Sequence, residues 1–165
     1  MLALIMLQAA LPALPLGYLE MCVERRDQSC AVRSITAEEL STIHQEITAA
    51  IETRDAPDPD DPWRVFPRDP DGKLRGDCDD QVATERAVLL ALGIPASSLA
   101  IETGRVRLAD GTEVGHVVLL VTLEAGRYVL DRRVPAGAYE ASRRPKDYRA
   151  TAAQEPGVLL WQPPG

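Results

Sequence analysis

Gly76-Asp77-Cys78-Asp79-Asp80, with Gln81-Val82-Ala83-Thr84-Glu85-Arg86-Ala87-Val88-Leu89-Leu90-Ala91 behind it, reads as a cysteine at the start of a helix. Asp79 and Asp80 fall in the first turn, where carboxylates suit the positive end of the helix dipole. Ala83, Ala87, Leu90 and Ala91 continue at helical spacing. Gly93 and Pro95 then stop the helix in the usual order. The thiolate is the nucleophilic form of cysteine, and a helix N-terminus stabilises it. The polar neighbours of Cys78 argue against a small buried hydrophobe, and Gly76 leaves room for a substrate backbone.

Upstream of this stretch, Thr36 and Glu39 form a capping box. Leu40, Ile43, Ile47 and Ile51 recur at helical spacing, which predicts an amphipathic helix over 37–53. His44 lies off that stripe and reads as a solvated or partly buried helix residue, not as a base. Residues 55–62, with three prolines and four aspartates, exclude regular structure and predict an acidic surface loop before Trp63. Downstream, 99–103, 105–108, 114–121 and 127–134 are strand-like, with turn signals at Asp110-Gly111 and Ala125-Gly126. Helices first and strands later indicate an α+β fold, in which the helix bearing Cys78 packs on an antiparallel sheet.

The two ends of the chain's chemistry set its surroundings. Residues 1–19 carry no charge, but Pro12 and Pro15 break the run, which is too short for a convincing membrane span. It reads as the apolar part of a signal peptide, so 1–16 is taken as a signal or apolar segment and 17–165 as one domain, periplasmic or secreted. Cys22 and Cys30 stand eight apart, and Cys78 stands alone. In an exported protein this predicts one local disulfide and one free thiol. A net charge of -7 argues against nucleic acid as a partner, because phosphate binding needs clustered Lys and Arg.

A cysteine nucleophile needs a base, and the chain has two histidines. His116 sits in the apolar strand Val114-Gly115-His116-Val117-Val118-Leu119-Leu120-Val121, and Asp131 closes the apolar part of the next one. If 122–125 form a four-residue loop, Leu120 pairs with Arg127 and His116 lies directly opposite Asp131, within hydrogen-bond reach. The expected set is Cys78 as nucleophile, His116 as base and Asp131 as its orienting acceptor.

The ordered set of Pro15-Leu16-Gly17, Cys22 and Cys30, the helix from Thr36, Trp63, Gly76-Asp77-Cys78-Asp79-Asp80, His116-Val117-Val118-Leu119 and Val129-Leu130-Asp131 resembles the bacterial transglutaminase-like cysteine proteinases, the LapG-type periplasmic proteases among them. The resemblance spans nearly the whole chain. It implies a papain-like, transglutaminase-like fold and a cysteine-type peptidase in which Cys78, His116 and Asp131 are the triad. It also implies a protein substrate such as an exported adhesin or surface protein, and a regulatory membrane receptor as a further partner. Asp77 and Asp79 fall where LapG-type members bind calcium, and Asp80 on the second acid of that motif. Asp79 stands where the family has Glu, Gln81 where it has Tyr and Val117 where it has Ala.

Elementary electrostatics agrees with a cation. Three carboxylates beside Cys78 disfavour a thiolate unless a positive charge offsets them, and an all-oxygen ligand set suits Ca²⁺. The plainer role for Asp77, Asp79 and Asp80 is to cap the helix. Two other functions fit the same residues: an acyl transferase of the same fold, and a non-catalytic calcium-dependent binding module.

Overall fold

The computed structural model describes residues 15–25, 30, 34–54, 62–154 and 161–162. Most of the expected signal segment (1–14) and of the acidic loop (55–61) lies outside the described residues. Three helices, α1 (Leu16–Arg25), α2 (Ala37–Ala50) and α3 (Cys78–Ala91), precede most of the sheet. Cys22 of α1 is disulfide-bonded to Cys30, and Cys78 is free, as the cysteine spacing predicts.

Each helix boundary has a local cause. At the start of α2 the Thr36 hydroxyl accepts from Glu39 N at 3.2 Å, and the Glu39 carboxylate accepts from Thr36 N at 2.8 Å. Leu40, Ile43 and Ile47 of the predicted stripe are buried. The helix ends at Ala50, three residues short of the expected boundary, with Ile51 as an extended cap. At the end of α3, Gly93 takes φ +90°, Gly93 N donates to Leu90 O and Ile94 N donates to Leu89 O, a Schellman arrangement that a side chain at Gly93 would strain.

Short strands β1 (Glu52–Thr53) and β2 (Arg75–Gly76) pair in parallel just before α3. The main sheet is built from β3 (Leu99–Arg107), β4 (Glu113–Leu123), β5 (Gly126–Leu130), β6 (Tyr139–Glu140), β7 (Tyr148–Gln154) and β8 (Trp161–Gln162). It is antiparallel, in the order β6-β5-β4-β3-β7-β8. The two strands expected at 99–103 and 105–108 are one continuous strand, because Gly104 keeps its place in the ladder opposite His116.

The β4–β5 turn is tighter than expected. Leu123 pairs with Gly126, so Glu124 and Ala125 alone form the loop, and Gly126 takes φ +144°. Leu120 therefore pairs with Val129, not Arg127, and β5 ends at Leu130. The register moves by two residues. Because side chains alternate with period two, this shift leaves every side chain on its expected face.

Two clusters follow from that alternation. Leu119, Val121, Leu130 and Leu99 pack with Leu19, Leu40, Ile47, Val82 and Leu89 of the helices. Val118, Leu120, Val129, Ala100 and Tyr148 form the second cluster. Burying each large aliphatic side chain contributes about 1.5–3 kcal/mol, and the first cluster holds α3 against β4. No helix among the described residues is long and apolar enough to cross a membrane.

Candidate active site

Cys78 is the first residue of α3 and is half-buried. His116 and Asp131 are buried, at 8% and 0% exposure. His116 Nε2 meets Asp131 Oδ1 at 2.7 Å. The pair is diagonal, since Asp131 follows the last residue of β5, which pairs with Leu119, and the imidazole spans the offset. The Cys78 side chain interacts with the same imidazole. With Nε2 occupied by Asp131, Nδ1 is the nitrogen left for the sulfur. The structure thus brings together all three residues singled out from the sequence.

The electrostatics favour an imidazolium. Burial works against a charge on His116, but the hydrogen bond to Asp131 and then the interaction with Cys78 outweigh it and push the ring up to about 9. Burial likewise opposes charge on Asp131, yet His116 and the Arg133 backbone hold its carboxyl below the usual range. Asp131 is oriented by three further groups that the sequence did not reveal. Arg133 N donates to Oδ1 at 2.9 Å, Tyr139 Oη donates to Oδ2 at 3.3 Å, and Arg133 Nε lies 3.7 Å from Oδ2.

His44 is not solvated. It is fully buried on α2, with Nδ1 at 2.6 Å from Glu85 Oε1 and Nε2 at 3.2 Å from Val134 O. Burial opposes its charge, but Glu85 outweighs burial and raises the ring. The pair continues into α3 and the sheet. Gln81 Nε2 donates to Glu85 Oε1 at 2.8 Å and to Thr48 at 2.7 Å, and Gln81 Oε1 accepts from Arg132 Nη1 at 3.0 Å. Helical period hid this role, because a polar residue beside an apolar stripe reads as solvent-facing until its partner forty-one residues away is known.

Asp77, Asp79 and Asp80 each bring a carboxylate oxygen to within 4.8 Å of the others. Their roles differ. Asp80 is buried, and both its oxygens are held by Arg64, through the backbone N at 2.8 Å and Nη2 at 3.0 Å. Gly76 belongs to this clasp: a side chain there would meet Asp80 Oδ2 at 2.5 Å and Pro67 at 2.8 Å. Its missing side chain therefore makes room for Asp80 and Pro67, not for the substrate backbone expected from the sequence. Asp79 Oδ1 accepts from Asp80 N at 2.8 Å, while Asp77 makes no side-chain cap and its Oδ1 is buried without a partner. Burial and the facing Asp77 push Asp79 up to about 7; Asp77 goes down, against burial, by accepting a hydrogen bond from Asp79. Two carboxyls flanking the cysteine thus oppose each other's charge, and an orphaned oxygen remains. That donor set fits a hard cation such as Ca²⁺.

The sequence profile described as bacterial transglutaminase-like cysteine proteinase (BTLCP) matches residues 8–136. No curated protein matches the chain. Among solved structures, calcium-bound Legionella pneumophila LapG is similar, with a TM-score of 0.56 and 23% identity over 82% of this chain and 71% of that one. EGTA-treated Legionella pneumophila LapG is similar with a TM-score of 0.55 and 23% identity, over 82% and 69%. At this identity the likeness speaks for the fold.

Proposed function

Because the chain belongs to the bacterial transglutaminase-like cysteine proteinases, and is a cysteine peptidase by that membership, we propose that Cys78, His116 and Asp131 are its catalytic triad and that it cleaves a peptide bond in a protein substrate. The observation that supports this reading is the single buried imidazole hydrogen-bonded to Asp131 and acted on by Cys78.

The chemistry follows from that arrangement. His116 Nδ1 takes the Cys78 proton, and the resulting imidazolium is stabilised by Asp131 through Nε2. The thiolate attacks the scissile carbonyl carbon. The oxyanion that forms accepts from the Cys78 backbone N–H at the helix start. Collapse of the tetrahedral species breaks the C–N bond, and His116 gives its proton to the leaving amine. Water, deprotonated by the same imidazole, then hydrolyses the thioester and frees Cys78.

Asp77 and Asp79 are the residues that would hold Ca²⁺, with Asp80 kept by Arg64 at the edge of the group. The ion supplies charge neutralisation there and takes no covalent part. The support is the unpartnered Asp77 oxygen and the clustering of the three carboxylates. The uncharged N-terminal stretch and the disulfide support export to the periplasm or beyond, with an exported surface protein as the substrate class.

The deciding experiment compares wild-type protein with Cys78→Ala and His116→Ala on unfolded protein substrates, with circular dichroism to show that each variant is folded. Loss of cleavage in both folded variants is expected. Wild-type cleavage by Cys78→Ala would end the reading. Adding an amine acceptor separates hydrolysis from acyl transfer: a product carrying the amine would mark a transferase.

A further inference from the structure

Tyr148 opens β7 far along the chain from the triad and was not singled out by any motif, yet it is built into the same site. Its ring lies 6.2 Å from the His116 ring, centroid to centroid, at 83°, an edge-to-face contact. It rests over Gly104, the residue paired with His116 across β3 and β4. A Cβ at Gly104 would come within 2.5 Å of the Tyr148 ring, so the absent side chain is what lets the ring reach the imidazole. The hydroxyl donates to Glu102 Oε1 at 3.0 Å. Glu102 is itself buried, at 4% exposure, and is clasped by both Arg144 nitrogens, while the Arg144 guanidinium also lies 5.6 Å over the Tyr148 ring. A buried acid, an arginine and a hydroxyl are thus committed to holding one aromatic ring still, beside a base whose ring must not turn.

We propose that Tyr148 is a positioning residue for His116: its ring, seated over Gly104 and locked by Glu102 and Arg144, fixes the imidazole with Nε2 on Asp131 and Nδ1 towards Cys78. An imidazole anchored by one hydrogen bond can rotate about its Cβ–Cγ bond and exchange its nitrogens. The edge contact from Tyr148 closes that path. The inference rests on the reading of Cys78, His116 and Asp131 as the catalytic set.

The test uses the full chain and needs no substrate. The rate of Cys78 alkylation by iodoacetamide is followed against pH in wild type, His116→Gln, Tyr148→Phe, Tyr148→Leu and Gly104→Ala, with folding checked by circular dichroism. Tyr148→Phe keeps the ring but loses its bond to Glu102, and is expected to slow alkylation less than Tyr148→Leu. Tyr148→Leu and Gly104→Ala are expected to slow alkylation near neutral pH by about tenfold, a misplacement effect, and to move the profile towards that of His116→Gln. Wild-type profiles in both, while His116→Gln is altered, would overturn the role of Tyr148 and leave the triad standing. An unaltered profile in His116→Gln would instead strike the triad itself. Equal damage from Phe and Leu would assign the effect to the hydroxyl and overturn the role of the ring. Should the disruptive variants fail to fold, the wild-type protein decides. It has two histidines, so the His116 ring signals are assigned by their loss in His116→Gln, and absence of a nuclear Overhauser contact between them and Tyr148 overturns the proposal.

Discussion

Arg132 Nη1 donates to Gln81 Oε1 at 3.0 Å, which bonds the residue after Asp131 to the helix turn that begins at Cys78. The same guanidinium donates through Nη2 to Ile51 O at 2.7 Å and to Thr53 Oγ1 at 2.9 Å. One side chain therefore joins the end of α2, the start of α3 and the end of β5. Arg132→Ala is expected to lower stability by about 1.5–3 kcal/mol, the usual worth of hydrogen bonds to a charged group, and to lower peptidase activity more than that loss of folded protein explains. Denaturant titration and activity per folded molecule check it; unchanged activity would confine Arg132 to a structural role.

Stability should depend on pH through His116. Its ring is raised from 6.5 to about 9, so its contribution is fully present below pH 6.5 and is lost as pH rises through 9. His44 is raised as well and acts in the same direction. Wild-type unfolding free energy should fall between pH 6.5 and pH 9 and beyond. His116→Gln should show a shallower fall, with the His44 part remaining. Identical slopes in the two proteins would contradict the charged imidazole.

Calcium should bind at Asp77 and Asp79 with a readout that does not need catalysis. Added Ca²⁺ is expected to raise the melting temperature of wild type and to leave Asp77→Ala unmoved. EGTA should reduce activity, and Ca²⁺ but not Mg²⁺ should restore it, since Mg²⁺ demands tighter geometry. Asp79 is one methylene shorter than Glu, so weaker binding than a Glu would give is expected. Full activity in EGTA together with no thermal shift would leave these acids as part of the helix start only.

The buried His44–Glu85 pair should be costly to break. His44→Ala leaves Glu85 at 0% exposure with Oε2 already unpartnered. Loss of about 3–5 kcal/mol is expected, the range for removing one member of a buried ion pair. Equilibrium unfolding measures it, and a loss under 1 kcal/mol would show that water or a rearranged Gln81 takes up the charge.

Reduction of the Cys22–Cys30 disulfide should lower stability by roughly 2–4 kcal/mol, by the usual constraint on the unfolded chain. Melting with and without dithiothreitol, against a Cys22→Ala control, tests it. No difference would mean that α1 is held by Leu19 and its neighbours alone.

The helix starts and the free thiol were legible in the sequence because each depends on local chemistry: a capping box at Thr36, a glycine stop at Gly93, one cysteine in polar company. What was not legible depends on partners distant in the chain. Tyr139, Tyr148 and Arg133 reach the site only once β5, β6 and β7 are assembled, and none carries a motif. His44 read as solvated or partly buried, not as fully buried, because its acid, Glu85, lies on another helix. Gly104 looked like a strand break because propensity records the cost of a missing side chain and not the ring that fills its place. The turn length was misread because Thr122 and Leu123 are as fit to extend a strand as to form a loop.

The β4–β5 hairpin sets what kinds of length change this chain can survive. Its pairing depends on how many residues make the turn, and faces alternate one by one. Removing or adding two residues at Glu124 and Ala125 would slide β5 along β4 and still present Asp131 to the side on which His116 waits. Removing or adding one would turn Asp131 to the opposite side and bring Leu130 to the side it leaves, out of its own cluster. Insertions and deletions at this turn are thus filtered by parity, and single-residue changes of length are the ones this hairpin cannot absorb.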